Sequence, residues 1–83
     1  MLTCYECGAP ATERHHCLHG NGRRKLAGED GLTVPLCRKC HERLHSSKGH
    51  AMDLRYKQLA ETTYLLRGHT IEEFVSRYGK NYL

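Results

Sequence analysis

Residues 36–45 read LCRKCHERLH. Two cysteines three positions apart, Cys37 and Cys40, run directly into two histidines four positions apart, His41 and His45. The pattern after Cys37 is helical through about Ser46, so His41 and His45 lie on one face at a spacing that suits a single metal ion. Cys40 is adjacent to His41 and on a helix projects about 100° away from it. The two residues therefore should not serve the same ion. Two sites back to back are expected, one of sulfur and one of imidazole.

The sulfur site has its other half near the N-terminus. Cys4 and Cys7 repeat the C-x2-C spacing, and 29 residues separate Cys7 from Cys37. CYECGAP, with Gly8 and Pro10 behind the pair, has the form of a knuckle turn. Two such pairs complete a tetrahedral thiolate shell for a structural Zn2+ with no position left open. An 83-residue chain with no Trp and one Phe has little core, and a metal staple suits it. The fifth cysteine, Cys17, follows His16 on an expected strand. Alternation sends it to the opposite face, as a small buried apolar residue. MLTCYECGAP carries no signal-peptide pattern, and no apolar run approaches the roughly 20 residues of a membrane span. A soluble, cytoplasmic protein of a reducing compartment is expected, where paired cysteines hold metal more often than they form disulfides.

Upstream, ERHHCLHG at residues 13–20 brings two more histidines, His15 and His16. ATERHHC (11–17) reads as a short strand and LTVPL (32–36) as a second, with Pro35 keeping it to an edge or a strand end. Residues 18–31, with four glycines and no apolar period, read as a long loop. One histidine of the pair can complete an imidazole site with His41 and His45, while the other stands beside it as a general base. Three histidine ligands with positions left open is a catalytic pattern. His50 and His69 read as surface or hydrogen-bonded residues, and His19 is undecided.

The remainder is helical. SSKGH (46–50) is a break. From 51 to 67 the spacing of Met52, Tyr56, Leu59, Thr63 and Leu66 marks one helical face, with Gly68 to end it. Thr70 and Glu73 form a capping-box pattern that opens a short helix with inner face Ile71, Phe74, Val75 and Tyr78, ended by Gly79. The fold class is a small zinc-stapled α+β single domain, 1–83. Its hairpin-plus-helix core spans 4–46, and a helical extension over 51–83 packs on it.

Charge favours an anionic partner. Residues 14–48 hold eight Arg/Lys against three Asp/Glu, within a chain of net charge +4. Arg23, Arg24 and Lys25 in the loop and Arg43 on the helix suit sequence-tolerant phosphate contacts, with solvated surface as the alternative. Arg38 and Lys39 have a second possible role, offsetting thiolate charge.

ERHH followed by LCRKCHERLH, with the flanking C-x2-C pairs, resembles the HNH (ββα-metal) endonucleases over residues 4–46. TIEEFVSRYGKNYL is similar to small phage or prophage proteins of HNH type. The resemblance implies His15, His41 and His45 as ligands of a catalytic Mg2+, Mn2+, Ni2+ or Zn2+, and His16 as the general base. It further implies phosphodiester hydrolysis of nucleic acid, DNA first, leaving 5′-phosphate and 3′-hydroxyl ends. The middle Asn of that family, which orients the base, falls on Leu32, and Asp30 or Asn21 would have to stand in for it. So small a surface implies that specificity needs a homodimer or a larger phage or host complex.

Two other functions compete with an endonuclease or nickase. One is a non-catalytic zinc module binding DNA or a protein, which needs the cysteines but no open histidine site. The other places all eight ligands in two closed structural sites, with His16 completing the second.

Overall fold

The computed structural model describes residues 2–20 and 22–83. Its described residues form a small α+β fold, a two-stranded antiparallel hairpin with four helices. Strand β1 (Glu13–His16) pairs with β2 (Thr33–Leu36), Glu13 opposite Leu36 and His16 opposite Thr33. The Pro35 carbonyl on the outer edge accepts the Tyr5 N–H at 2.8 Å, which seats the N-terminal knuckle against β2. The period of two along β1 puts Glu13 and His15 on one face and Arg14 and His16 on the other.

The connection between the strands contains a helix where a loop is expected. Helix α1 (Arg23–Glu29) opens behind Gly22, whose φ of 81° lies in the left-handed region. Its sequence, RRKLAGE, offers only Leu26 and Ala27 to the core, too few for an apolar period. Six of its seven residues are nonetheless good helix formers, Gly28 being the exception. Ala27 is wholly buried, and its carbonyl accepts the Leu32 N–H at 2.8 Å, leading the chain into β2.

Helix α2 (Arg38–Leu44) starts at Cys37, whose Sγ accepts the Cys40 N–H at 3.4 Å and caps the helix. The break at 46–50 is a tight corner. A Cβ on Gly49 would overlap the Leu44 carbonyl, so only glycine fits there.

Helix α3 (His50–Leu66) buries Met52, Tyr56, Ala60, Glu61 and Tyr64. Met52 and Tyr56 are on the expected face, and Leu59 and Thr63 are half-buried beside it, but Leu66 is 83% exposed. An i, i+4 row drifts around a helix of 3.6 residues per turn. The buried stripe thus winds from the hairpin toward α4 (Ile71–Tyr78), whose Phe74 and Tyr78 rings meet Tyr64 at 5.7 and 6.1 Å.

The capping box at Thr70 forms with both reciprocal bonds, 2.9 and 3.1 Å, and Gly79 ends α4 at φ 87°. Phe74 and Tyr78 are fully buried, whereas Ile71 and Val75, expected inside, are exposed. An eight-residue helix has room for only one fully buried row, which Phe74 and Tyr78 fill. Residues after α4 return to α3: the buried Glu61 carboxylate accepts the Tyr82 N–H at 2.7 Å, and the Gln58 amide donates to the Tyr82 carbonyl at 3.0 Å.

Among the described residues, no helix is long and apolar enough to cross a membrane.

Candidate metal centres

The chain brings its cysteines and histidines together in two clusters. Cys4, Cys7, Cys37 and Cys40 form the first, with all four sulfur atoms within 4.8 Å of one another. The Cys7 and Cys37 sulfurs are 3.7 Å apart. Tetrahedral geometry with metal–sulfur bonds of about 2.3 Å requires sulfur pairs about 3.8 Å apart, so the donor set fits such an ion.

The turn that makes this possible is local. Gly8, at φ 80°, donates its N–H to the Cys4 carbonyl at 2.9 Å, folding the knuckle back. Burial by itself would raise the Cys4 thiol, but backbone N–H groups at Cys37, Cys7 and Glu6 bring it down to about 6. Cys40 is pushed up to about 12, by its hydrogen bond to Cys37 and by burial. Four thiolates in this space need a cation to coexist.

The second cluster is His15, His41 and His45, with one ring nitrogen of each within 4.8 Å of the others. The Nε2 atoms of His41 and His45 are 3.1 Å apart, against about 3.3 Å for two imidazoles on one tetrahedral ion with bonds of about 2.0 Å. His15 is 3% exposed, and its Nε2 is buried with no hydrogen-bond partner among the described residues. Burial and the neighbouring His41 and His45 lower its pKa to about 4, which keeps it neutral, as a ligand must be. Glu13 pairs with His41 Nδ1, fixing that ring and leaving its Nε2 free to face the cluster. These residues fit a divalent cation, and the observation that argues most for one is the orphaned His15 nitrogen.

Cys40 and His41 serve different clusters, as their helical phase requires. His16 does not join the second, so eight ligands in two closed sites is not the arrangement found. Instead His16 is half-buried on the wall of a cleft of about 290 Å³, which it lines with the three clustered histidines, His19, Arg14 and Arg24. The Nε2 edge of its ring lies against Gly28 of α1, and Arg24 Nε–H reaches toward its Nδ1 at 3.5 Å. Burial first, then the charges of Arg24 and Arg14, hold its pKa below the ordinary histidine value.

Asp30 is not free for the orienting role that the resemblance would give it. Its carboxylate accepts Arg77 Nε at 2.7 Å and Nη2 at 3.1 Å together with the Tyr78 hydroxyl, and is thereby committed to α4. Asn21 lies outside the described residues. Leu32, where the resemblance would place an Asn, is buried core, 3% exposed.

Of the basic residues, Arg23, Arg24 and Lys25 stand on α1 and not in a loop. Only Arg24 among them lines the cleft. Arg23 places its guanidinium against Gly79 at the C-terminal end of α4, where a cation is favoured. Lys25 and Arg43 are exposed outside the cleft, and Arg38 pairs with Glu42 at 3.2 Å.

His19 bonds Asp53 at 3.1 Å. His50 and His69 are exposed, the latter stacked on Tyr64 at 4.0 Å. Cys17 is 2% exposed, and burial followed by the charge of Asp53 pushes its thiol up to about 12, an inert core residue. The residues that motif reasoning passes over are Glu13 and Arg14. Strand alternation was the available signal, since it puts Glu13 beside His15 and Arg14 beside His16.

A family model described as "Protein of unknown function (DUF968)" matches residues 1–66. The chain is also 43% identical over 44 residues to "Uncharacterized protein YdfU" of Escherichia coli (strain K12). That match covers 52% of this chain and 13% of the relative, so the chain spans only a small part of its length. No solved structure matches the chain. With four-fifths of its residues inside the family model, the chain belongs to the DUF968 family.

Proposed function

We propose that this protein is a metal-dependent endonuclease or nickase of the HNH (ββα-metal) type, hydrolysing phosphodiester bonds in nucleic acid, DNA first. One observation carries the reading. Three histidines from a strand and a helix converge on one point, one with a buried unpartnered nitrogen, and a fourth histidine shares their cleft without joining them.

His15, His41 and His45 would hold the ion, and Cys4, Cys7, Cys37 and Cys40 a separate structural Zn2+. A divalent ion at the histidines supplies Lewis-acid stabilisation of the charge that builds on the phosphoryl group. His16, neutral at pH 7, takes the proton of the attacking water at Nδ1, the nitrogen turned toward Arg24. Arg14 and Arg24 draw the phosphate into the cleft, and Arg24 turns from His16 to the phosphate as it enters. Glu13 keeps His41 in the ligating tautomer. Arg23, Lys25 and Arg43 contribute at most to long-range attraction, and a homodimer or a larger phage or host complex would supply sequence specificity.

A second reading has its own observation. Leu32 is core and Asp30 is occupied, so among the described residues only the long contact from Arg24 orients His16. This favours a zinc module that binds DNA or protein with weak or no cleavage. Supercoiled plasmid incubated with Mg2+, Mn2+, Ni2+ or Zn2+ separates the two. Nicking that His16→Ala lowers at least about 100-fold supports the enzyme. Equal nicking by both proteins refutes His16 as base, and DNA retention with no nicking under any metal supports the module.

A further inference from the structure

Between the two clusters stands one aromatic side chain. Tyr56, in the middle of α3, is 1% exposed. Its hydroxyl donates to Glu6 Oε1 at 2.6 Å, and Glu6 lies inside the knuckle, between Cys4 and Cys7. Its ring lies 5.8 Å from that of His15, tilted by 47°, and meets Tyr5 of the same knuckle edge-on at 5.8 Å. A single side chain thus touches the cysteine turn at one end and a histidine of the other cluster along its side.

We propose that Tyr56 is a positioning residue that couples the two centres. The closed knuckle presents Glu6, Glu6 fixes the Tyr56 ring, and the ring sets the orientation of His15. A buried phenol needs a partner, and a carboxylate acceptor makes the bond short and directional. Arg55, donating to the same Glu6 oxygen at 2.7 Å, steadies the acceptor from the solvent side. His15 has no hydrogen bond at Nε2 to orient it, so its ring is held by packing against Tyr56 and the other two histidines. A loosened knuckle therefore spoils a site to which it donates no ligand. The inference rests on reading both clusters as metal centres, and it is independent of whether a phosphodiester is cut.

The test uses the full chain carrying one Zn2+ per molecule, titrated with Co2+ and followed by visible absorption. Wild type is expected to take up one Co2+ at the histidines. Tyr56→Phe keeps the ring and loses the bond to Glu6; its Co2+ affinity should fall about 10-fold, with a shifted band and zinc still at one per chain. Glu6→Ala should behave the same way. Glu6→Gln, which keeps an acceptor oxygen, should stay within about 2-fold of wild type. Should Tyr56→Phe not fold, the Glu6→Ala and Glu6→Gln pair still decides. Wild-type affinity and spectrum in both Tyr56→Phe and Glu6→Ala would reduce Tyr56 to a core residue and overturn the coupling alone. Absence of Co2+ binding in wild type would overturn the histidine centre and the coupling with it.

Discussion

Asp30→Ala removes the residue that ties α1 to the C-terminal helix. The carboxylate accepts two bonds from Arg77, at 2.7 and 3.1 Å, and one from Tyr78. The Arg77 side chain is 31% exposed and that of Asp30 20%, so solvent screening reduces the ion pair to about 1–1.5 kcal/mol. Tyr78 is fully buried, and its hydroxyl left without an acceptor costs about 1–3 kcal/mol. The expected loss is about 3 kcal/mol, which for a domain of this size lowers Tm by about 12–24 °C.

Urea unfolding at pH 7, with zinc held at one per chain, measures it. Arg77→Ala should cost about 1.5 kcal/mol, and the double variant should show a coupling of about 1 kcal/mol. The pH dependence has a definite sign. Burial opposes ionisation of Asp30, but the bonds from Tyr78 and Arg77 prevail and hold its carboxyl below the ordinary 3.8. A carboxyl depressed in the folded state stabilises fully above that value and loses its contribution as pH falls below it. The gap between wild type and Asp30→Ala should therefore close in acid below about pH 4. A loss under about 0.5 kcal/mol, or additivity with Arg77→Ala, would refute the hub. If Asp30 oriented His16 instead, Asp30→Asn would abolish nicking without changing the unfolding curve.

Three further substitutions probe the centres. Cys40→Ala should reduce zinc from one per chain to near zero by atomic emission and leave the far-UV dichroism of an unfolded chain, since so small a core lacks the stability to do without the ion. Glu13→Ala should weaken Co2+ binding at the histidines by about 10–100-fold, read by titration, because His41 loses the partner of its Nδ1. Cys17→Ala should keep both metals and any nicking, at a stability cost of about 1 kcal/mol by urea unfolding. Metal loss in that variant would contradict its placement as inert core.

Spacing alone separates the two ligand clusters. C-x2-C twice, and His41 with His45 one turn apart and out of phase with Cys40, are rules of chain geometry that hold before any packing. The capped α4 and its glycine stop were legible for the same reason, since each depends on neighbours within a few residues. Helix α1 was not, because what holds it is Ala27 against the core and Asp30 against α4, contacts that two apolar residues in seven do not announce.

Local sequence thus determined which residues can share an ion: the donors and their faces follow from covalent spacing and helical and strand periods. Tertiary structure alone decided what surrounds them. It turned Asp30 to Arg77 and Tyr78, set Arg24 beside His16, left Leu66, Ile71 and Val75 outside, and ran Tyr56 from Glu6 to His15. These are contacts across eight to fifty residues of chain. They depend on how the helices close over the hairpin, and no period along the sequence encodes that.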